Sequence, residues 1–87
     1  MAKHKYLVPK ELRIDKKGNR TTKRYNRIGT NMTLTAEAKE WVHGFVKGHW
    51  YLSQDRIERY GSSYYGDNLF IHFCDDQDAM FFKLTWL

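Results

Sequence analysis

Three groups of side chains in this sequence have the types and spacing to do chemistry. His43, His49, His72 and Cys74 supply nitrogen and sulfur donors. Zinc takes four such ligands in a tetrahedron, and structural sites usually draw them from tight pairs. His72-x-Cys74 puts two donors on one strand face, but His43 and His49 stand six apart across Gly44 and Gly48, which is not a usual ligand spacing. These four residues are therefore read as a buried free thiol with half-exposed histidines, and no metal is expected. Asp75, Asp76 and Asp78 form the second group. Clustered carboxylates hold magnesium in nucleases, but such sites need further acids, and Asp55, Glu58 and Asp67 lie on other segments. Helix capping accounts for the same three aspartates. The sequence has no Ser/His/Asp arrangement, phosphate-binding loop or dinucleotide-binding glycine fingerprint. No catalytic residue and no cofactor is expected.

The third group is cationic and carries the functional expectation. Residues 1–30 hold ten Lys and Arg against Glu11 and Asp15, a local balance of +8, whereas residues 31–87 hold five against eight acids, a balance of −3. Aromatics divide the other way: Tyr6 and Tyr25 precede residue 31, and twelve follow it. Such asymmetry points to an anionic partner, because Lys and Arg displace the counterions condensed on phosphates. Lys10, Arg13, Lys16, Lys17, Arg20, Lys23, Arg24 and Arg27 are the expected contacts, with Tyr25 placed to stack on a base or sugar. A solvated surface segment, or a segment docked on the chain's own acids, would carry the same charge. There is no zinc-finger spacing, helix-turn-helix pair or aromatic RNA-binding signature. Tyr60, Tyr64 and Tyr65 lie in a glycine- and serine-flanked stretch, where they would suit a protein interface or fold back over a hairpin.

The elements that must position these groups fit one small domain. At 87 residues, with 41% hydrophobic, 29% charged and 16% aromatic residues, the composition is that of a globular chain with an aromatic core. A single cysteine excludes an internal disulfide, and no apolar run approaches the length of a membrane span. A cytoplasmic protein that makes no membrane contact is expected. Thr35 should cap a helix over about 36–47, with Ala38, Trp41, Val42 and Phe45 as its apolar stripe and Gly48 as its stop. Residues 50–60 read as a strand, although Ser53 could instead start a short helix ended by Gly61. Gly61 to Asn68 punctuate a loop, and Leu69 to Phe73 is a strong strand, so the two strands suggest a hairpin. Asp75, with Asp78 three residues on, resembles a capping box for a helix over about 76–84 with an extended end. Leu12, Ile14 and the Lys17-Gly18-Asn19 turn signal suggest a second hairpin over 11–28.

The order of Trp41, Trp50-Tyr51, Ile71-His72-Phe73 and the closing Asp78-Ala79-Met80-Phe81-Phe82-Lys83-Leu84-Thr85-Trp86 resembles a group of small tailed-bacteriophage proteins. Their shared ending is of the type F-x(4)-D-A-x-x-F-K-L-x-W. The likeness covers residues 36–87. Val42 stands where members often carry cysteine, and Leu87 where many carry glycine. The resemblance implies origin and architecture, and no activity. The expected fold is α+β, a small antiparallel sheet packed with two helices, with a basic arm or hairpin over 1–30 and a body over 31–87. The expected function is non-catalytic binding of nucleic acid or a nucleic-acid-associated complex. The alternative is a protein-protein module that modulates an acidic host protein or joins a virion assembly.

Overall fold

The computed structural model describes residues 3–16, 18 and 31–87. In chain order it has β1 (His4–Leu7), a short 3-10 turn (Lys10–Leu12), β2 (Arg13–Asp15) and β3 (Met32–Leu34), followed by α1 (Ala36–Phe45), β4 (Trp50–Arg59), β5 (Ser62–Phe73) and α2 (Asp76–Trp86). The fold is α+β, with two helices and antiparallel sheets of three and two strands.

β5 is the centre of the larger sheet, with β1 on one side and β4 on the other. Its alternation sets the layers: Leu69, Ile71 and Phe73 are buried, while Phe70 and His72 on the opposite face are half-buried. Both helices cover the buried face. The Phe82 ring of α2 lies 5.3 Å from Phe73 and 6.1 Å from Trp41 of α1, and Trp41 meets Trp86 edge-on at 6.2 Å. Val8, Leu12, Met32, Leu34, Ala38 and Val42 complete the same core.

The 50–60 segment is a strand rather than a helix. β4 and β5 join through a two-residue turn, Tyr60-Gly61, whose φ values of 52° and 76° are the left-handed pair that matches strand twist. The loop expected over Gly61 to Asn68 is therefore mostly strand: β5 starts at Ser62. The register skips between Gln54↔Leu69 and Arg56↔Tyr65, so Asp55 alone faces three residues of β5. The glycines and Asn68 that suggested a loop belong to the turn and to this irregularity.

Thr35 caps α1 as expected, its hydroxyl accepting from the Ala38 N–H at 3.3 Å. The helix ends at Phe45, two residues before the expected boundary, because Val46 turns extended and packs on the core. Phe45 is exposed, so only Ala38, Trp41 and Val42 of the expected stripe face inward. Gly48 is not a helix stop; its role is close approach. A Cβ there would sit 3.0 Å from Asp75 Cβ and 3.2 Å from Asp78 Oδ2. The second helix runs through Trp86 instead of giving way to an extended end, because Ala79, Phe82 and Trp86 recur at helical spacing on its core side.

The expected division at residue 30 is corrected in its first half. β1 pairs with β5 in the register His4↔Phe73 to Leu7↔Phe70, and the Val8 N–H donates to the Leu69 carbonyl at 2.8 Å. Val8 and Leu12 are core residues, so residues 4–15 are built into the body. β2 pairs with β3, Arg13↔Leu34 to Asp15↔Met32, which removes residues 13–15 from the local hairpin expected over 11–28. The remainder of that hairpin lies outside the described residues.

Candidate nucleic-acid interface

The open face of the three-stranded sheet gathers a set of aromatic and basic side chains. Strand alternation and register place two rows across it. One is Lys5–His72–Tyr51, and the next is Leu7–Phe70–Ser53. Tyr51 and His72 stack with ring centroids 4.3 Å apart and planes within 8°. The Lys5 ammonium lies 4.2 Å from the centre of the Phe70 ring, a cation–π geometry. Tyr51 is 42% exposed and Leu7 51%. His49 adds a tilted ring 6.2 Å from Tyr51 at the edge. The result is a surface of interleaved aromatic, aliphatic and polar side chains with the lysine charge over one ring.

His72 is held below its ordinary pKa of 6.5, first by burial and then by the charge of Lys5. It is therefore neutral at pH 7. Its Nε2 lies 2.6 Å from the Ser53 hydroxyl, a nucleophile–base separation. Catalysis would also need donors for an oxyanion and a group to orient the imidazole. The pair lies on a strand face, and the ion pair found among the described residues is His4–Asp76, with none on His72.

The expected anion-binding residues divide three ways. Lys10 and Lys16 are exposed. Arg13 is not available to a partner: it is 3% exposed, and its Nη1 donates to the Asp67 carbonyl at 2.7 Å. The guanidinium belongs to an inward position of β2, where desolvation lowers its pKa and the charges of Asp67 and Glu11 oppose that shift. Lys17, Arg20, Lys23, Arg24, Tyr25 and Arg27 lie outside the described residues. The three tyrosines are split along the hairpin instead of sharing a loop. Tyr60 is fully exposed at the turn, Tyr64 is partly exposed in β5, and the half-buried Tyr65 ring has the Arg56 guanidinium 5.0 Å from its centre.

The aspartates are spent on structure. Asp75 caps α2, its Oδ1 accepting from the Gln77 N–H at 2.8 Å and the Asp78 N–H at 3.1 Å. Asp78 does not close a capping box. It is 3% exposed and accepts from the Lys47 N–H at 3.2 Å and the Gly48 N–H at 2.8 Å, tying the α1–β4 connection to α2. Asp76 lies 2.7 Å from His4 Nε2, and that hydrogen bond, helped by Lys3, lowers its pKa. No group of three or more His, Cys, Asp or Glu is clustered for a metal among the described residues. His43 instead meets Trp50 edge-on at 5.9 Å, and Cys74 is half-buried, not buried.

Sequence reasoning missed the sheet face. The available signal was the phase of β5: if Leu69, Ile71 and Phe73 point inward, Phe70 and His72 must point outward. Comparison of the chain with protein-family models, with curated proteins and with solved structures finds no match. No helix among the described residues is long and apolar enough to cross a membrane.

Proposed function

We propose that this chain is a non-catalytic binding protein for single-stranded nucleic acid, with the open sheet face as a base-stacking platform. The observation that carries the reading is the paired rows Lys5–His72–Tyr51 and Leu7–Phe70–Ser53 on a face that neither helix covers. Aromatic faces stack on bases regardless of sequence, and each such contact is worth about 1–3 kcal/mol. Lys5, the exposed Lys10 and Lys16, and the basic residues 17–27 supply phosphate attraction, consistent with the overall charge of +5. Arg13 is excluded from that set by its burial.

The test is fluorescence anisotropy with labelled single-stranded and duplex oligonucleotides over a series of salt concentrations. The reading expects single strands to bind more tightly than duplex, affinity to fall steeply as salt rises, and Tyr51→Ala to weaken binding by about 5-fold or more. Equal binding by the Tyr51→Ala protein would remove the platform, and no binding at low salt would remove the function.

The second reading, a protein-protein module on an acidic host protein or in a virion assembly, draws on the exposed Tyr60 and on the apolar outer side of α2. The phage resemblance of residues 36–87 suits either. Selective capture from host lysate that survives nuclease treatment would favour the second.

A further inference from the structure

The outer side of α2 is apolar in a way that its packing does not use. Met80 is 62% exposed, Phe81 56%, Leu84 76% and Leu87 58%. Met80, Leu84 and Leu87 recur at i, i+4 and i+7, the spacing of a helix stripe that buries against another element. Within the chain, Ala79, Phe82 and Trp86 already provide the stripe that faces the core. α2 is thus amphipathic twice, with two apolar sides and one partner.

The outer stripe borders an open groove of about 730 Å³ between α2 and β1. Tyr6, Ala79, Met80, Leu84 and Leu87 line it. Its polar rim is the His4–Asp76 pair towards the start of α2 and Lys83 two turns later.

We infer that a second copy of this chain occupies the groove, with the two α2 helices packed antiparallel about a two-fold axis. Charge complementarity selects this occupant. Antiparallel pairing brings Asp76 of each copy towards Lys83 of the other, and it opposes the two helix dipoles. A two-fold contact requires one patch that complements itself, and a stripe with the Asp76 carboxylate beside one end, shared there with His4, and the Lys83 ammonium beside the other does so. The area agrees. The four exposed side chains offer about 500 Å² per chain, at the upper end of the largest patch on an ordinary monomer. Two copies together bury at most about 1,000 Å² of this surface, the lower limit of a specific interface, so the association is expected to be weak and reversible. The helices would then lie between the two sheets, and both open sheet faces would point outward. This assembly is independent of what those faces bind.

Sedimentation equilibrium on the full chain across the micromolar range tests the inference. The expected species is a dimer of twice 10.5 kDa, in reversible equilibrium with monomer. Leu84→Glu, at a largely exposed position, should weaken association at least tenfold while the circular dichroism spectrum, and the thermal transition of the dilute monomer, stay unchanged. Lys83→Glu and Asp76→Lys should each weaken it, and the two together should restore it. A wild-type chain that stays monomeric throughout overturns the inference and leaves the groove to another protein's helix. A Leu84→Glu protein that still dimerises overturns it as well, by moving the interface elsewhere.

Discussion

Replacing Asp78 by alanine removes one buried carboxylate and leaves its two donors in place. In the native chain that carboxylate is 3% exposed, and its oxygens take the Lys47 N–H at 3.2 Å and the Gly48 N–H at 2.8 Å. Hydrogen bonds to a charged acceptor contribute about 1.5–3 kcal/mol each, and a fully buried donor left unsatisfied costs about 1–3 kcal/mol, less here because Lys47 is exposed and Gly48 half-buried. The longer bond is the weaker one, and water can reach part of the space released. A loss of about 2–4 kcal/mol is expected, against the 5–15 kcal/mol typical of whole domains. For a chain of this size each kcal/mol moves the melting temperature by about 4–8 °C, so a fall of about 8–32 °C should follow. Asp78→Asn keeps one acceptor oxygen and should lose roughly half as much. Urea unfolding followed by circular dichroism measures both. A shift under about 1 kcal/mol for Asp78→Ala, with an unchanged m-value, would refute the view that this carboxylate holds the α1–β4 connection to α2.

Deleting residues 1–15 should abolish cooperative unfolding and near-ultraviolet circular dichroism, because it removes β1, β2, Val8 and Leu12 together; a folded remainder would restore the separate-arm picture. The depressed pKa of His72 gives a second expectation. The folded chain binds fewer protons than the unfolded chain, so stability is full above pH 6.5 and is lost as pH falls from there through the folded value. His72→Gln should flatten that slope in thermal melts between neutral and mildly acidic pH. The depressed Asp76 carboxyl acts in a separate window, its contribution present above the ordinary carboxylate range and lost on further acidification.

What could be read from the sequence was what local chemistry dictates. Thr35 and Asp75 announce their helices because a side-chain oxygen there satisfies orphan N–H groups within three residues. The hairpin was legible because both strands adjoin its turn. Less legible were contacts whose partner is remote. β1 reads as a basic tail because only one of its faces is covered, and the strand that pairs with its edge, around Phe73, lies some seventy residues away. Asp78 reads as a cap because its true donors, Lys47 and Gly48, are thirty residues upstream. Phe82, Leu84 and Trp86 alternate as a strand would, and only packing of Phe82 and Trp86 with Leu84 outside selects the helix. The candidate site was hidden for the same reason. Charge count pointed to residues 10–27, one of which, Arg13, is spent inside the fold, while Tyr51, Phe70 and His72 meet only after β4 and β5 pair.

The most direct measurement is a titration of the isotope-labelled chain with a short single-stranded oligonucleotide, followed residue by residue through amide and aromatic NMR shifts. The account predicts the largest changes at Lys5, Tyr51, Phe70 and His72, with the core-facing Ile71 and Phe73 and the outer side of α2 little affected. Changes confined to Met80, Leu84 and Leu87, or none at all, would contradict it.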